Sequence, residues 1–240
     1  MLTTQWHQGA PFKLRFPIST SWTIWAPPGC VTIAVAQIMN YHQFPRNYCD
    51  WSLVNQYNPK KLLEENDQDV LDEVALLSKK VAGGCRVECN FFGSGETFST
   101  PAKAKRFLRD MGYTGIEKHL GYDADVIKTT LNKGCPVFIG ALSSSNHGHA
   151  WVIDGYLNYE NIIKTYNGPA TLLETKTVNK LFVHCNWGWQ STRKNGYYAS
   201  KVFDTRNGPA DLSGYPVATR GIDTKNYTWW FRIVTYNKPR

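Results

Sequence analysis

The feature that most constrains the fold is a stretch of 30 residues, between Arg15 and Arg46, that carries no formal charge. Pro27-Pro28-Gly29 lies near its middle and would break a helix there, so the stretch does not predict a membrane span. Ser, Thr, His, Gln and Asn also interrupt it. We therefore expect it to be the most deeply buried segment of a soluble protein.

The second half of this stretch predicts a helix that begins with a cysteine. The run from Cys30 to Tyr41 is apolar on nearly every face, which is typical of a short helix surrounded by protein. Unsatisfied N–H groups and the helix dipole favour an anion at a helix N-terminus, and they would stabilise a thiolate at Cys30. Such a position, with an imidazolium nearby, can lower a cysteine pKa from roughly 8.5 to about 3–4. Cys30 is the candidate nucleophile, although a lone buried cysteine is more often a small apolar side chain.

The remaining pattern predicts an α+β fold. Three more helices, each ended by glycine, are expected at 69–80, 102–111 and 123–133. Short β-branched and aromatic runs predict strands at 137–140, 149–154, 181–185, 197–203 and 229–236. We expect one unit over residues 1–240, with a mainly helical half (about 1–135) packed on a mainly antiparallel β half (136–240) and a cleft between them.

Composition excludes several classes of protein. A hydrophobic fraction of 42% and a charged fraction of 19% indicate a compact globule rather than a disordered chain. The net charge is +8, but the basic residues are not clustered and no nucleic-acid motif is present, so nucleic acid is not an expected partner. The N-terminus lacks the pattern of a signal peptide, and the chain could be a mature form whose leader has been removed.

Six cysteines, at 30, 49, 85, 89, 135 and 185, do not have the paired spacing of a zinc site. We expect no metal and no cofactor. If Cys30 is a working thiol, five cysteines remain, and at least one of them cannot be paired within the chain. Pairing of Cys85 or Cys89 with a distant partner stays open.

Four further residues complete a catalytic constellation with Cys30. His149 stands between a Ser-rich loop and a predicted strand, where a base can face a cleft. After another strand, Asn186 could accept a hydrogen bond from the Nδ1–H of this histidine and hold its Nε2 toward sulfur, while Trp187 shields that bond from water. Gln8 and the backbone N–H of Cys30 could donate to an oxyanion. Each residue alone has a plain structural interpretation.

Together these residues resemble the streptopain family of bacterial papain-like cysteine peptidases. The cysteine-helix block and the Asn-Trp-Gly-Trp block are the most specific matches. The matching segments are Trp6–Phe12, Gly29–Pro45, Gly93–Gly95, Gly148–Gly155, His184–Trp189 and Asn195–Tyr198.

The resemblance implies a papain-like two-lobed fold and endopeptidase activity on proteins or peptides. In it, Cys30 corresponds to the nucleophile, His149 to the general acid/base and Gln8 to the oxyanion donor, while Asn186 and Trp187 orient and screen the histidine. It also implies secretion, to the medium, cell surface or periplasm, of a precursor with an N-terminal propeptide. We expect a monomer.

Two departures from the family and two alternatives remain. Gln190 to Lys194 form a basic insertion where the family commonly has glycine, and the cysteines are more numerous than expected of the family. The resemblance also implies a mobile loop near the cleft at 207–214. A secreted binding or adhesion module with a degenerate site is one alternative function. Acyl transfer by the same thiolate to an amine, as in transglutaminase-like folds, is the other.

Overall fold

An antiparallel sheet of seven strands forms the framework of the protein. The computed structural model describes residues 1–16, 26–89, 97–168, 171–189, 194–206, 208–210 and 226–240. The strands follow the order β3-β9-β4-β5-β6-β7, with β8 paired to β9. They are β3 (Glu117–Leu120), β4 (Val137–Ser143), β5 (Gly148–Asn167), β6 (Thr171–Asn186), β7 (Gly196–Ala199), β8 (Phe203–Asp204) and β9 (Asn226–Thr235). β1 (Glu88–Cys89) and β2 (Thr97–Phe98) form a separate antiparallel pair.

The helices begin where the sequence places capping residues. They are α1 (Cys30–His42), α2 (Trp51–Val54), α3 (Gln68–Gly84), α4 (Pro101–Asp110) and α5 (Ala124–Asn132), with a 3-10 turn at Leu63–Glu65. At α4, Thr100 caps the first turn and Pro101 occupies its first position, where a missing N–H costs nothing. At α5, the carboxylate of Asp123 accepts from the backbone N–H groups of Asp125 and Val126.

The two faces of the sheet belong to two hydrophobic clusters, because successive strand residues point to opposite sides. On one face, Phe138, Val152 and Val234 pack with the apolar residues of α1 and α3. On the other face, Ile139, Trp151 and Ile233 belong to a second cluster, which also contains Ile127 of α5. The sheet therefore lies between the long helices and a second core.

α1 is the most deeply buried helix, as its charge-free sequence predicts. Every residue from Val31 to Asn40 is buried. It starts at Gly29, whose φ of 87° is in the left-handed region, and a Cβ there would lie 2.9 Å from Thr97 Oγ1. Only glycine fits this turn without strain. The Thr32 hydroxyl donates to the Pro28 carbonyl at 2.6 Å and closes the first turn.

β5 and β6 continue as a hairpin beyond the other strands. β5 pairs with β4 only as far as Ile153, and β6 pairs with β7 only over Phe182–Cys185. In the rest of the hairpin, the described residues of the two strands pair only with each other. We call residues 158–167 and 171–181 the arm.

The predicted α+β class and the antiparallel pairing are confirmed. The four predicted helices and all the predicted strand regions are present. The single strand expected at 197–203 is two strands, β7 and β8, because the chain turns at Ser200–Lys201, where Lys201 has a φ of 72°. β5 and β6 are far longer than expected, and β3, within the half expected to be mainly helical, belongs to the large sheet through its pairing with β9.

Candidate active site

Cys30 is the first residue of α1 and is half-buried. The helix has no acidic residue in its first turn, and its N-cap residue, Gly29, has no side chain that could cap the first N–H groups. The partial positive charge of the helix end is therefore not neutralised by the helix's own side chains. This is the environment predicted for a thiolate.

The other cysteines whose side chains are described have environments that keep the thiol protonated. Burial, with Glu73 nearby, raises the pKa of Cys49 to about 12. Burial also raises the pKa of Cys85, Cys135 and Cys185. None of these four forms a disulfide with a described residue. Because only a thiolate is a strong nucleophile, they are poor candidates for catalysis.

His149 is the second residue of β5, and its ring is held at one nitrogen by the main chain. Its Nε2 lies 2.9 Å from the carbonyl oxygen of Trp187. A carbonyl can only accept, so Nε2 carries the proton in this bond and Nδ1 is left as the nitrogen that can exchange a proton. This reverses the predicted assignment, in which Nδ1–H is held and Nε2 faces sulfur.

Asn186 bonds to two main-chain groups. Its Oδ1 accepts from the N–H of Gly188 at 3.2 Å, and its Nδ2 donates to the Thr4 carbonyl at 2.8 Å. Asn186 was expected to accept from the histidine Nδ1–H. The structure instead gives the acceptor of the ring N–H as the Trp187 carbonyl, which the Asn186–Gly188 bond helps to position.

Aromatic rings surround His149. Trp187 is fully buried and stacks on the imidazole with centroids 6.0 Å apart. Trp151, Trp189 and Tyr227 lie at 6.2, 4.9 and 5.7 Å. We call these four rings the aromatic cage. His149 itself is 8% exposed, so most of the residue is screened from solvent.

The cage is the part of the site that the sequence interpretation missed. Trp151 lies two residues after His149 on β5, and alternate strand residues share a face. That spacing was a usable signal. Tyr227 lies 78 residues after His149 in the sequence. It reaches the His149 ring only because β9 pairs with β4, with Tyr227 opposite Ser143.

Gln8 lies in an N-terminal segment that is anchored on both sides of the site. The Thr4 hydroxyl donates to Gln37 of α1 at 2.7 Å, while the Thr4 carbonyl accepts from Asn186 of β6. Further on, Trp6 and Phe12 are buried in the cluster against which Cys30 packs. Gln8 lies between these two residues in the sequence and is half-buried. Its amide makes no hydrogen bond to the described part of the chain.

A hydrogen-bonded carboxylate also holds this segment. Asp154, on β5, lies 2.5 Å from His184 Nδ1 and accepts from the Leu2 N–H at 2.6 Å. The sequence interpretation gave neither Asp154 nor His184 a part in positioning the segment.

The elements that carry Cys30, His149 and Trp187 pack together, because α1 lies on the sheet beside the turn that follows β6. Ala150 and Val152 of β5 share a cluster with Val31. Gly188 lies so close to α1 that a Cβ there would be 2.9 Å from Ile33 Cγ2. The helix that starts at Cys30, the strand that starts beside His149 and the Trp187 turn therefore form one packed unit.

Four expected features lie outside the residues that the structure describes. They are the insertion at 190–193, the Gly93–Gly95 motif, most of the loop expected at 207–214, and the side chain of Cys89. In the described part of the chain, no three His, Cys, Asp or Glu side chains are arranged to hold a metal ion. No helix in that part is long and apolar enough to cross a membrane.

The family model of the peptidase C10 family matches residues 6–198, which include Gln8, Cys30, His149, Asn186 and Trp187. A comparison with curated proteins finds no match.

Proposed function

The chain belongs to the peptidase C10 family and is a cysteine-type peptidase, and on this basis we propose that it is a secreted endopeptidase that acts through Cys30 and His149. The observation that carries the proposal is the hydrogen bond from His149 Nε2 to the Trp187 carbonyl, beside the helix that begins with Cys30. It leaves Nδ1 as the proton-exchanging nitrogen.

In the proposed reaction, His149 Nδ1 takes the proton of the Cys30 thiol. The thiolate attacks the scissile carbonyl carbon, and the oxyanion accepts hydrogen bonds from the Gln8 amide and the Cys30 N–H. The His149 imidazolium then protonates the leaving amine as the carbon–nitrogen bond breaks, which leaves an acyl-enzyme. His149 next removes a proton from water, the water attacks the thioester, and the thiol leaves with its proton restored.

The wider proposal concerns architecture and maturation. We infer a papain-like arrangement, in which substrate lies between the helical part and the sheet. Its support is the segment Leu2 to Phe12, which contacts both parts and carries Gln8. Secretion with a removable N-terminal propeptide belongs to the same proposal and rests on the resemblance to streptopain-type peptidases.

The experiment that tests this function compares Cys30→Ala with Cys49→Ala on casein and on a peptide blocked at both ends. Both cysteines are half-buried, but the Cys49 thiol stays protonated at neutral pH. Cys49→Ala is expected to cleave both substrates at the wild-type rate, whereas Cys30→Ala is expected to cleave neither. Cleavage inside the blocked peptide identifies an endopeptidase.

Two results would favour the other functions. Slow labelling of Cys30 by iodoacetamide at about pH 5, well below an ordinary thiol pKa of about 8.5, would indicate a degenerate site in a binding module. A cross-linked product with an added amine, in place of new peptide termini, would indicate acyl transfer. The proposal requires fast labelling and hydrolysed termini.

A further inference from the structure

The arm exposes apolar side chains that the proposed active site does not use. Ile162, Ile163, Tyr166, Leu172 and Leu173 are each between 46% and 62% exposed. Apolar residues concentrated in this way on the surface mark an interaction site more often than scattered ones do. The arm is therefore a candidate surface for a partner.

The arm also offers an open strand edge. Beyond Ile153, the described residues of β5 pair with β6 on one side and with no strand on the other. Such an edge presents unpaired N–H and C=O groups at every second residue, and it can accept another strand. A single lysine at the edge usually discourages this pairing. Here Lys164 is accompanied by an acidic residue, Glu160, four positions earlier.

The spacing of these two charges fits an antiparallel copy of the same strand. Glu160, Ile162 and Lys164 alternate along β5 and so share one face. If two β5 edges pair about a two-fold axis at Ile162, Glu160 of each copy lies opposite Lys164 of the other, and the two Ile162 side chains face each other. Directly opposed residues in an antiparallel pair have Cβ atoms about 4.5–5.5 Å apart, close enough for both ion pairs.

Neighbouring registers do not offer this match. An axis at Glu160 places two glutamates opposite each other, and an axis at Lys164 places two lysines opposite each other. Like charges directly opposite are destabilising. The charge pattern therefore selects one register.

Both charges are available for such a contact. Within the hairpin, Glu160 lies opposite Asn179 and Lys164 lies opposite Thr175, both of them uncharged. Neither Glu160 nor Lys164 has an ion pair with any described residue. Both residues are exposed.

We propose that the β5 edge of the arm is a homodimer interface, in which two copies of the chain pair antiparallel about Ile162 and join their arms into a four-stranded sheet. This proposal replaces the monomer expected from the sequence. Two-fold pairing is closed, because the same surface is used by both copies and no further copy can add at that edge. Tyr166, Leu172 and Ile162 lie on one face of the joined sheet, and the Glu160–Lys164 pairs lie between Tyr166 and the two central Ile162 side chains.

The test is sedimentation of the full chain with Cys30→Ala, which prevents self-digestion, from about 1 to about 100 µM. The parent protein is expected to form a dimer. Because the interface is two-fold, Glu160→Lys or Lys164→Glu alone places like charges opposite each other at both symmetry-related contacts. Each single change is therefore expected to raise the dissociation constant by about tenfold or more. The double change, Glu160→Lys with Lys164→Glu, restores both ion pairs and is expected to restore the parent value.

A matched control lies on the other strand of the arm. Glu174 and Lys176 are exposed and carry the same charges, but they lie on β6, opposite Thr165 and Ile163. Glu174→Lys and Lys176→Glu are expected to leave the dissociation constant unchanged. Any of three results would overturn the proposal. The parent protein could stay monomeric over the whole concentration range, or the single changes could raise the dissociation constant no more than the controls do. The double change could also fail to restore the dimer.

Discussion

The Nε2 of His149 lies 2.9 Å from the backbone carbonyl oxygen of Trp187, so a main-chain group holds the imidazole ring at this nitrogen. The position of that carbonyl depends on the turn that follows β6. Asn195 Oδ1 accepts from the Trp187 N–H at 2.9 Å, and Asn186 Oδ1 accepts from the Gly188 N–H. The amides around Trp187 therefore shape the turn, and the turn orients the His149 ring.

Asn186→Ala is expected to lower kcat by no more than about tenfold, because the carbonyl that holds His149 is retained. Removal of a side chain that orients a catalytic histidine directly can cost about 10⁴-fold. Loss of the Thr4 and Gly188 bonds should also lower the free energy of unfolding by about 1–3 kcal/mol. Kinetics and urea unfolding measure both effects, with His149→Ala as the inactive reference. A loss near 10⁴-fold in a folded Asn186→Ala protein would contradict the assignment.

Gln8→Ala is expected to lower kcat by about 10²–10³-fold, or roughly 2.7–4 kcal/mol of barrier, because one oxyanion donor is lost. The rate of Cys30 alkylation by iodoacetamide should not change, since alkylation forms no oxyanion. Gln5→Ala, in the same segment and also half-buried, serves as the control and should keep normal kcat. If alkylation slows together with kcat, Gln8 acts on the thiolate rather than on the oxyanion.

Gly188→Ala is expected to lower both stability and kcat. Gly188 has a φ of 66°, and the added Cβ would lie 2.9 Å from Ile33 Cγ2, so the turn must move away from α1 and take the Trp187 carbonyl with it. The left-handed backbone alone costs about 1–2 kcal/mol for alanine. Thermal unfolding and peptide hydrolysis measure the change.

Gly83→Ala is the matched control for that substitution. Gly83 is helical, and nothing lies within 4 Å of a Cβ added there. Alanine should therefore raise the free energy of unfolding by about 0.4–1 kcal/mol, because it reduces the conformational entropy of the unfolded chain. It should not change kcat. A Gly188→Ala protein that matches Gly83→Ala in activity would refute the role of the turn.

His42→Gln is expected to make the protein less sensitive to acid. Burial, with Lys238 nearby, lowers the pKa of His42 from 6.5 to about 4 in the folded protein. Between these values the unfolded chain binds the proton more readily, so the wild type loses stability as the pH falls from 6.5 toward 4. The variant lacks this loss, and its amide can still accept from the Tyr236 hydroxyl that lies 3.2 Å from His42 Nε2.

Urea midpoints at about pH 7 and about pH 4.5 measure this difference. His147→Gln, at an exposed ring outside the core, is the control and should lose stability as the wild type does. Equal acid losses in the wild type and His42→Gln would show that another group governs the acid transition.

The helices were predictable because their signals are local. Thr100 with Pro101 and Asp123 with its two N–H donors occupy the cap positions that the sequence indicates. The arm was not predictable in the same way. Its strands are exposed on both faces, so burial imposes no alternation of apolar and polar residues, and each predicted strand ended where the core ends.

The residues proposed for the site could be chosen from sequence motifs, but the nitrogen of His149 that the main chain holds could not. Cys30 and His149 stand out in the sequence because few residue types can supply a nucleophile and a base. The choice between Nδ1 and Nε2 depends on where one carbonyl points. That direction is fixed by the φ of Gly188 and by packing against Ile33, which no spacing in the sequence reveals.

The aromatic cage has an electrostatic consequence for the proposed ion pair. The faces of tryptophan and tyrosine rings carry negative charge in their quadrupoles and attract a cation within about 6 Å. The centroids of Trp187, Trp189 and Tyr227 lie within 6.0 Å of that of His149, at the distance of such a contact. Ring faces also accept protons far less readily than oxygen or nitrogen does. In the proposed reaction, these rings would therefore favour a positive charge on His149 without diverting the proton that it gives to the leaving amine.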